Sequence, residues 1–325
     1  MPGAVTRAAP AEWVPCNLCG SASYDVVGRR DRDGRPLQTV LCRACGLVWT
    51  NPRPTAEAID RYYEAEYRPD YTGTAAPAPR KLLRGMLGAR DRRDALMRLV
   101  PSAASVLDVG CGAGELVFLL RRAGMEAAGI EPGGEYAGFA RQVLGVPVQT
   151  ASVGSAVVGP DSLDAVTMYH CLEHVADPRL VLERARTWLR TDGLLVVEVP
   201  NIDSTVQAPA HRYHYAHLYH FSGATLGALG EAAGLGLVQT SYSADGGNVV
   251  CVFRRGPGAS GSRLDPAAAA GRTAAVLRTH TSARHYLSPT PYRRALGRLA
   301  RRWREDRLLR RLRTVDGIVG WAKGL

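Results

Sequence analysis

The chain has 325 residues, of which 46% are hydrophobic, and a formal net charge of +11. This length accommodates one large α/β domain with appendages, and no apolar run is long enough to span a bilayer. The first ten residues lack the apolar core of a secretory signal, which predicts a cytoplasmic protein. Residues 256–325 hold fifteen lysines and arginines against four acids, so the positive surplus lies in the tail. The neutral body disfavours nucleic acid as its partner.

The first predicted unit, residues 11–50, contains four of the seven cysteines in two closely spaced pairs. Cys16-x-x-Cys19 and Cys42-x-x-Cys45 are each followed directly by glycine, and this spacing is typical of tetrahedral zinc–thiolate sites. A disulfide framework is the alternative, but it is disfavoured in a cytosolic chain with three further cysteines. Because four thiolates leave no coordination position open for water, the sequence predicts a zinc ribbon with a structural Zn²⁺ ion.

Residues 51–100 are predicted to form a helical connector or lid. Residues 51–71 are rich in tyrosine and are predicted to be helical, and a second helix is predicted at Lys81–Leu99. The Thr/Ala/Pro-rich residues 72–79 between them predict a loop. Tyr63, Tyr67 and Tyr71 are weaker candidates for contacts with a substrate or with a cofactor carboxylate.

The segment Val106–Glu115, which reads Val-Leu-Asp-Val-Gly-Cys-Gly-Ala-Gly-Glu, predicts a strand, a tight turn and the start of a helix. Gly110, Gly112 and Gly114 let the backbone turn sharply and approach a ligand closely. Their spacing differs from the G-x-G-x-x-G of dinucleotide enzymes, so no pyrophosphate site is implied. Asp108 would repel a phosphate, but its carboxylate could pair with an ammonium group.

The next predicted strand ends in Glu131, where a carboxylate suits a bidentate contact with ribose hydroxyls. A ligand that has a ribose, an amino-acid tail and no phosphate fits S-adenosylmethionine (SAM). The turn and the spaced acid together therefore predict a SAM site. The alternative is a Rossmann-like sheet that binds another nucleotide or has lost its activity.

Strands alternate with helices through residues 101–255, the predicted main domain. Helices are predicted at Pro178–Leu189 and Gly223–Ala233. The predicted strands are Ser105–Val109, Ala127–Ile130, Val146–Thr150, Ala165–Tyr169, Leu194–Val199, Leu237–Ser241 and Asn248–Arg254. This alternation predicts a Rossmann-like, doubly wound, seven-stranded α/β sheet that is mainly parallel and covered on both faces.

Six of the eight histidines lie between His170 and His220, and both clusters follow predicted strand ends. Since ligands bind outside the carboxyl ends of strands in open α/β sheets, we expect both clusters to border the active site. Histidine titrates near neutral pH and is the usual general base, so His174 and His217 are candidates for removing a proton from an acceptor. Glu173, beside His174, is a further catalytic candidate, and His170 is a candidate cofactor contact.

Metal binding is an alternative for the histidine run, which contains His211, His214, His217 and His220. Three-residue spacing would place such side chains on one face of a helix. Pro209 and the interspersed tyrosines favour an irregular segment instead, so the metal interpretation is disfavoured.

A linker is predicted at residues 256–271 and a basic helical tail at residues 272–325. The apolar spacing within Tyr292–Arg313 predicts an amphipathic helix with a cationic face. Docking of this helix on the body, or on a second subunit in a homodimer, is favoured because its apolar stripe needs a surface to bury against. An anionic partner, such as a membrane surface, RNA or a phosphate-bearing carrier, is the alternative.

The motifs of the main domain resemble those of the class I SAM-dependent methyltransferases. The resemblance covers the glycine turn, Glu131 and the segments Leu163–His170, Cys171–Pro178 and Leu194–Asn201. It implies SAM as the methyl donor. Class I enzymes often have an acid near the adenine amino group after the third strand, where this chain has Ser152, which could accept the same hydrogen bond.

The segment Cys42–Pro54, followed by two tyrosines, resembles the N-terminal zinc ribbon that a subset of these methyltransferases carries. This subset includes sugar C-methyltransferases of deoxysugar pathways and enzymes of natural-product clusters. The sequence His-Leu-Tyr-His-Phe-Ser from His217 is similar to an element of this subset. In the sugar C-methyltransferases a Glu-His pair at that element serves as base, whereas Ala216 precedes His217 here.

The sequence thus predicts SAM-dependent methyl transfer to a small molecule, with the hydroxyl of a sugar or natural-product intermediate as acceptor and a histidine as base. C-methylation of a keto-sugar nucleotide is the close alternative. An RNA methyltransferase that clamps its substrate with ribbon and tail is an alternative of another class. It is disfavoured by the neutral body and by the absence of an Asn/Asp-Pro-Pro-Tyr motif.

Overall fold

Two principal sheets, with helices packed around them, make up the computed structural model, which describes residues 11–59, 77–101, 104–256 and 266–325. The strands, in chain order, are β1 (Ala11–Glu12), β2 (Tyr24–Arg30), β3 (Pro36–Cys42), β4 (Val48–Thr50), β5 (Arg53–Pro54), β6 (Ser105–Val109), β7 (Glu126–Glu131), β8 (Val148–Thr150), β9 (Leu163–Tyr169), β10 (Leu189–Pro200), β11 (Tyr219–His220), β12 (Leu235–Tyr242) and β13 (Asn248–Arg255). The helices are α1 (Pro79–Leu96), α2 (Glu115–Arg122), α3 (Gly134–Gln142), α4 (Pro178–Trp188), α5 (Gly223–Ala232), α6 (Pro266–Thr279), α7 (Ser282–Leu287), α8 (Thr290–Leu312) and α9 (Val315–Ala322).

The larger sheet has seven strands in the order β12-β13-β10-β9-β6-β7-β8. Strand β13 runs antiparallel to both of its neighbours, and the other pairings in this sheet are parallel. This arrangement confirms the predicted Rossmann-like sheet. The observed strand bounds lie within two residues of the predicted ones, except that β10 begins at Leu189 rather than Leu194.

Buried side chains fill both faces of the seven-stranded sheet. In β6, Leu107 and Val109 belong to the core that also contains residues of α4 and α5. Val106, which directly precedes Leu107, belongs to the opposite core, to which α1, α2, α3 and α9 contribute. This alternation follows from the two-residue side-chain period of a strand and gives the predicted cover of helices on both faces.

The N-terminal cysteine-containing segment forms a separate four-stranded sheet that includes a strand from the main domain. Its order is β11-β4-β3-β2, so the histidine-containing β11 completes the sheet by pairing with β4. Trp49 of β4 is fully buried and belongs to the same core as the main-sheet residues Leu107 and Val109. The ribbon is therefore attached to the main domain by both backbone pairing and side-chain packing.

Three predictions for the connecting segments need correction or fall outside the description. Residues 53–54 form β5, which pairs with β1, rather than the predicted helix, although residues 56–59 are helical. Tyr63, Tyr67 and Tyr71 lie outside the described residues. Helix α6 begins at Pro266, within the predicted linker, because its alanine-rich sequence continues a helix from a proline at its first turn.

The tail predicted to be helical forms α6 to α9. Helix α9 packs onto the main domain, where Ile318 and Ala322 are fully buried. Helix α8 is amphipathic and contacts α1 through its C-terminal half. Among the described residues, no helix combines the length and apolar character needed to cross a membrane.

Candidate active site

A cavity of about 760 Å³ opens at the carboxyl ends of β6, β7 and β9, where the fold places ligands. Residues from the glycine turn, the acid after β7, the loop after β8 and both histidine clusters line the same space. They include Gly110, Gly112, Glu131, Ser152, His170, Glu173, His174, His214, His217 and His220. The structure thus brings together most of the site residues that the sequence predicts.

The glycine turn has the left-handed backbone that only glycine adopts without strain. The φ angles of Gly110, Gly112 and Gly114 are 73°, 59° and 83°. Gly110 and Gly112 line the cavity, whereas Gly114 does not. A Cβ atom at Gly114 would lie 2.9 Å from the Cβ of Ala140, so this glycine permits close packing of α2 against α3.

Glu131 is a buried carboxylate that faces both the glycine turn and the cavity. Its Oε2 accepts a hydrogen bond from the backbone N–H of Gly112 at 2.9 Å, and its Oε1 accepts one from Gly133 at 3.2 Å. These two donors fix the orientation of the carboxylate. Since each carboxylate oxygen can accept more than one hydrogen bond, the group retains the capacity to bind a diol in the cavity.

Asp108 lies beneath the glycine turn and is not part of the cavity lining. Burial raises the pKa of its carboxyl to about 7, although a hydrogen bond from the Thr167 hydroxyl at 2.7 Å acts in the opposite direction. The predicted contact between Asp108 and an ammonium group therefore stays a prediction. Ser152 does line the cavity, and the N–H of Ser152 donates to the hydroxyl of Ser155.

The two histidine clusters meet at one wall of the cavity. The rings of His174 and His217 pack edge to face, with centroids 4.7 Å apart. Nδ1 of His174 lies 2.9 Å from the carbonyl oxygen of Ala216. Because a carbonyl only accepts hydrogen bonds, Nδ1 carries the proton, and Nε2 is the basic nitrogen of the neutral ring.

Glu173 supplies a buried negative charge beside these histidines, with only 1% of its side chain exposed. Its Oε1 lies 3.4 Å from Nδ1 of His170 and 3.7 Å from Nε2 of His174. Neither carboxylate oxygen has a hydrogen-bond partner within normal distance among the described residues. Burial would raise the pKa of Glu173, but the charges of His174 and His170 outweigh it and lower the pKa.

His170 is held between two carboxylates. Burial favours its neutral form, but the neighbouring carboxylates of Glu173 and Glu198 prevail and raise its pKa to about 9. The distance from Nε2 of His170 to Oε1 of Glu198 is 3.1 Å. His170 also has a φ of 54°, a sparsely populated conformation for a residue other than glycine, and such strain concentrates at functional sites.

Three buried histidines at this wall, His214, His217 and His220, are neutral at pH 7. Burial, reinforced by the neighbouring His174 and His220, lowers the pKa of His217 well below its ordinary value. Burial also lowers the pKa of His214 to about 4 and that of His220 to about 3. The site thus pairs a cationic His170 with a neutral His217, so its histidines can perform different tasks.

The sequence did not identify several charged and polar residues of the cavity. Arg92 of α1 lines the cavity, donates to Glu198 at 3.0 Å and lies over the Tyr169 ring at 4.2 Å. Asn248, at the start of β13, also lines the cavity beside His170. Arg92 stands in a helix with many arginines, and no local pattern distinguishes it from the others.

The four predicted zinc ligands lie together at one end of the ribbon. Their sulfur atoms are all within 4.8 Å of one another, and Cys16–Cys45 and Cys19–Cys42 approach to 3.4 and 3.5 Å. Thiolates about 2.3 Å from a tetrahedral zinc ion are roughly 3.8 Å apart, so this donor set fits the ion. All four cysteines are free thiols in the structure, which argues against the disulfide alternative.

The ribbon supports the histidine wall directly. The backbone N–H of Thr50 donates to the carbonyl of Leu218 at 2.8 Å, and the N–H of Leu218 donates to the carbonyl of Glu173 at 2.8 Å. Arg32 from the ribbon also lines the cavity. This segment is therefore a scaffold for the wall and part of the wall itself.

Comparison with known proteins agrees with the fold. A family model described as a methyltransferase domain matches residues 83–240. The matched range includes most of the residues that line the cavity, so this part of the chain is similar to a methyltransferase domain.

Individual relatives include both C- and O-methyltransferases, and they do not identify the substrate of this protein. The C-methyltransferase NovU of Streptomyces niveus is 28% identical over 270 residues, which cover 79% of this chain and 61% of NovU. A ubiquinone biosynthesis O-methyltransferase of Aeromonas salmonicida is 36% identical over 102 residues, covering 30% of this chain and 43% of that enzyme. The chain thus spans less than two thirds of the length of these curated relatives.

A solved structure with the same fold is a Burkholderia thailandensis 1,6-didemethyltoxoflavin-N1-methyltransferase with bound 1,6-didemethyltoxoflavin and S-adenosylhomocysteine. It is 18% identical, has a TM-score of 0.50, and the match covers 65% of this chain and 96% of that one. At this identity the likeness concerns the fold alone.

Proposed function

We propose that this protein transfers a methyl group from SAM to a small-molecule acceptor, a hydroxyl of a sugar or another natural-product intermediate, with a histidine as general base. The observation that carries this proposal is the shared cavity. Glu131 and the glycine turn line one part of it, and His174 and His217 line another. Donor and acceptor sites in one cavity are what an in-line displacement requires.

The donor site rests on Glu131, Gly110, Gly112 and Ser152. Glu131 is oriented by two backbone donors and would bind the ribose hydroxyls, while the glycines let the chain pass close to the ligand. When bound, SAM supplies a methyl group activated by its sulfonium sulfur. Asp108, beneath the turn, would act on the amino-acid end through the turn rather than by direct contact.

The acceptor site rests on the histidine pair. His217 is neutral at pH 7 because burial and the neighbouring histidines lower its pKa, so it can accept a proton without first losing one. His174 has its basic Nε2 directed toward Glu173, whose negative charge would stabilise the imidazolium formed by proton uptake. Glu173 thus has a supporting part in the proposed chemistry.

C-methylation of a keto-sugar nucleotide is the second candidate, because the similarity to NovU extends over 79% of the chain. In the resemblance that the sequence carries, a Glu-His pair serves as base, whereas Ala216 precedes His217 here. Glu173 brings a carboxylate to the same group of side chains from a different strand end. A carboxylate beside the histidine is therefore retained although the local pair is absent.

The test is a turnover assay with SAM and a panel of hydroxylated and keto-sugar nucleotides, with methylated product detected by mass spectrometry. We expect His217→Gln or His174→Gln to lower kcat by about 10²–10⁴-fold with nearly unchanged SAM affinity and melting temperature. Wild-type turnover in both single variants and in the double variant would place the base elsewhere.

Two further measurements distinguish the candidate reactions and test whether His217 is the base. For C-methylation, the enzyme should exchange the acidic proton next to the keto group for deuterium in D₂O, and the base variants should lose this exchange. For O-methylation, no such exchange is required.

With His217 as base, kcat should stay level as the pH falls from 8 to 6.5, because the pKa of His217 lies well below 6.5. A decline centred near 6.5 would contradict that assignment.

A further inference from the structure

The face of helix α8 that is turned toward the domain is occupied by contacts with α1 and the core. Both oxygens of the buried Glu305 accept hydrogen bonds from the Arg84 guanidinium of α1, at 2.9 and 2.7 Å. Asp306 forms an ion pair with Arg80, which also belongs to α1. Leucines of the C-terminal half, Leu308, Leu309 and Leu312, pack against the core beneath. These contacts hold α8 in a fixed orientation on the domain.

The opposite face of α8 carries an apolar stripe that nothing in the described part of the chain covers. Tyr292, Leu296, Leu299 and Trp303, here called the outer stripe, are 59%, 67%, 64% and 60% exposed. Their spacing of four, three and four residues places them in one row along the helix. Leu287 of α7 is 87% exposed at the adjoining end. An apolar row of this size is unusual on a surface that faces only water.

The exposed charged side chains of α8 are all arginines. They are Arg293, Arg298, Arg301, Arg302, Arg304, Arg307, Arg310 and Arg311. The helix contains only two acids, Glu305 and Asp306, and both are paired with arginines of α1. No carboxylate of α8 is therefore available to offset the positive charge around the stripe.

We propose that the outer stripe and its arginines bind the surface of an anionic lipid bilayer. A helix of this kind lies in the plane of the membrane, with leucine and tryptophan among the acyl chains and arginine at the phosphates. Each arginine near an anionic bilayer adds electrostatic attraction, and the excess of positive charge here is large. The rigid attachment of α8 to α1 would bring the methyltransferase domain to the membrane in one orientation.

Two other partners fit these observations less well. A second copy of the chain that paired stripe to stripe would place arginines against arginines without intervening carboxylates, which is repulsive. A nucleic acid would satisfy the arginines, but Leu296 and Leu299 cannot stack on bases as aromatic side chains do. Of these three partners, the bilayer is the one that provides both an apolar interior for the leucines and anionic groups for the arginines.

The test is flotation of the full-length protein with vesicles of phosphatidylcholine alone or mixed with phosphatidylglycerol. We expect binding to the mixed vesicles that weakens with added salt. The double variant Leu296→Glu, Leu299→Glu should bind them at least about tenfold more weakly, since it places two carboxylates where apolar side chains must enter. Both leucines are exposed, so the melting temperature should change little.

The matched control is Val157→Glu, which adds a carboxylate at a site that is 84% exposed and lies in the loop between β8 and β9. It should bind vesicles like the wild type. Three outcomes overturn the proposal: equal flotation of the double variant, absence of flotation with mixed vesicles, or a concentration-dependent dimer that the double variant abolishes. Retention on single-stranded RNA that ignores the leucines, without vesicle binding, would also overturn it in favour of a nucleic-acid partner.

Discussion

Replacing Glu131 should weaken SAM binding by about ten- to hundredfold. In the structure its carboxylate accepts hydrogen bonds from Gly112 and Gly133 and faces the cavity, so it is already oriented before a ligand arrives. Two charge-assisted hydrogen bonds to a ribose would each contribute about 1.5–3 kcal/mol, less the cost of displacing water. A net loss of about 1.4–2.8 kcal/mol corresponds to the expected range.

The assay is calorimetric titration of SAM into the wild type, Glu131→Ala, Glu131→Gln and the control Glu135→Ala. Gln keeps one acceptor oxygen and the side-chain volume, so its affinity should lie between those of the wild type and the alanine variant. Glu135 is exposed, belongs to α3 and does not line the cavity, so its removal should leave affinity unchanged. A folded Glu131→Ala protein with wild-type affinity would refute the assignment of the ribose site.

Further predictions concern the metal and the pH dependence of stability. Cys42→Ser with Cys45→Ser should release one zinc ion per chain and lower the melting temperature, whereas Cys111→Ser should retain the metal; zinc retained by the double variant, measured by elemental analysis, would contradict the ribbon site. The pKa of His170 is raised from 6.5 to about 9, so its stabilising contribution is complete below pH 6.5 and is lost as the pH rises through 9. Because this ring is 39% exposed, solvent screening reduces the effect to roughly 1 kcal/mol, and the melting temperature of His170→Gln should fall less than that of the wild type between pH 6.5 and 9.5.

The parts of the fold that the sequence predicted correctly depend on local patterns. The β-branched run before the glycine turn and the strand ending at Glu131 have strand propensity, and their order along the chain dictates a parallel sheet. The convergence of His174 and His217 could also be anticipated, because both follow strand ends at the same edge. The clustering of the four thiols could likewise be predicted from the cysteine spacing alone.

The missed features depend on contacts between distant parts of the chain. Pairing of β11 with β4 joins segments that are about 170 residues apart. Both strands are too short to have a distinctive sequence pattern. Arg92 reaches Glu198 only because α1 packs beside the sheet. The depth of Asp108 below the turn depends on packing with Thr167. The uncovered outer stripe of α8 is similar, because apolar periodicity does not tell which face of a helix finds a partner.

The central claim is that one cavity holds the methyl donor against Glu131 and presents it to the histidine pair. The most direct measurement is a crystal structure of the protein with bound S-adenosylhomocysteine. We predict that the ribose hydroxyls contact Glu131 and that the sulfur faces the part of the cavity lined by His174 and His217. A ligand bound elsewhere, or one whose sulfur faces away from both histidines, would contradict the account.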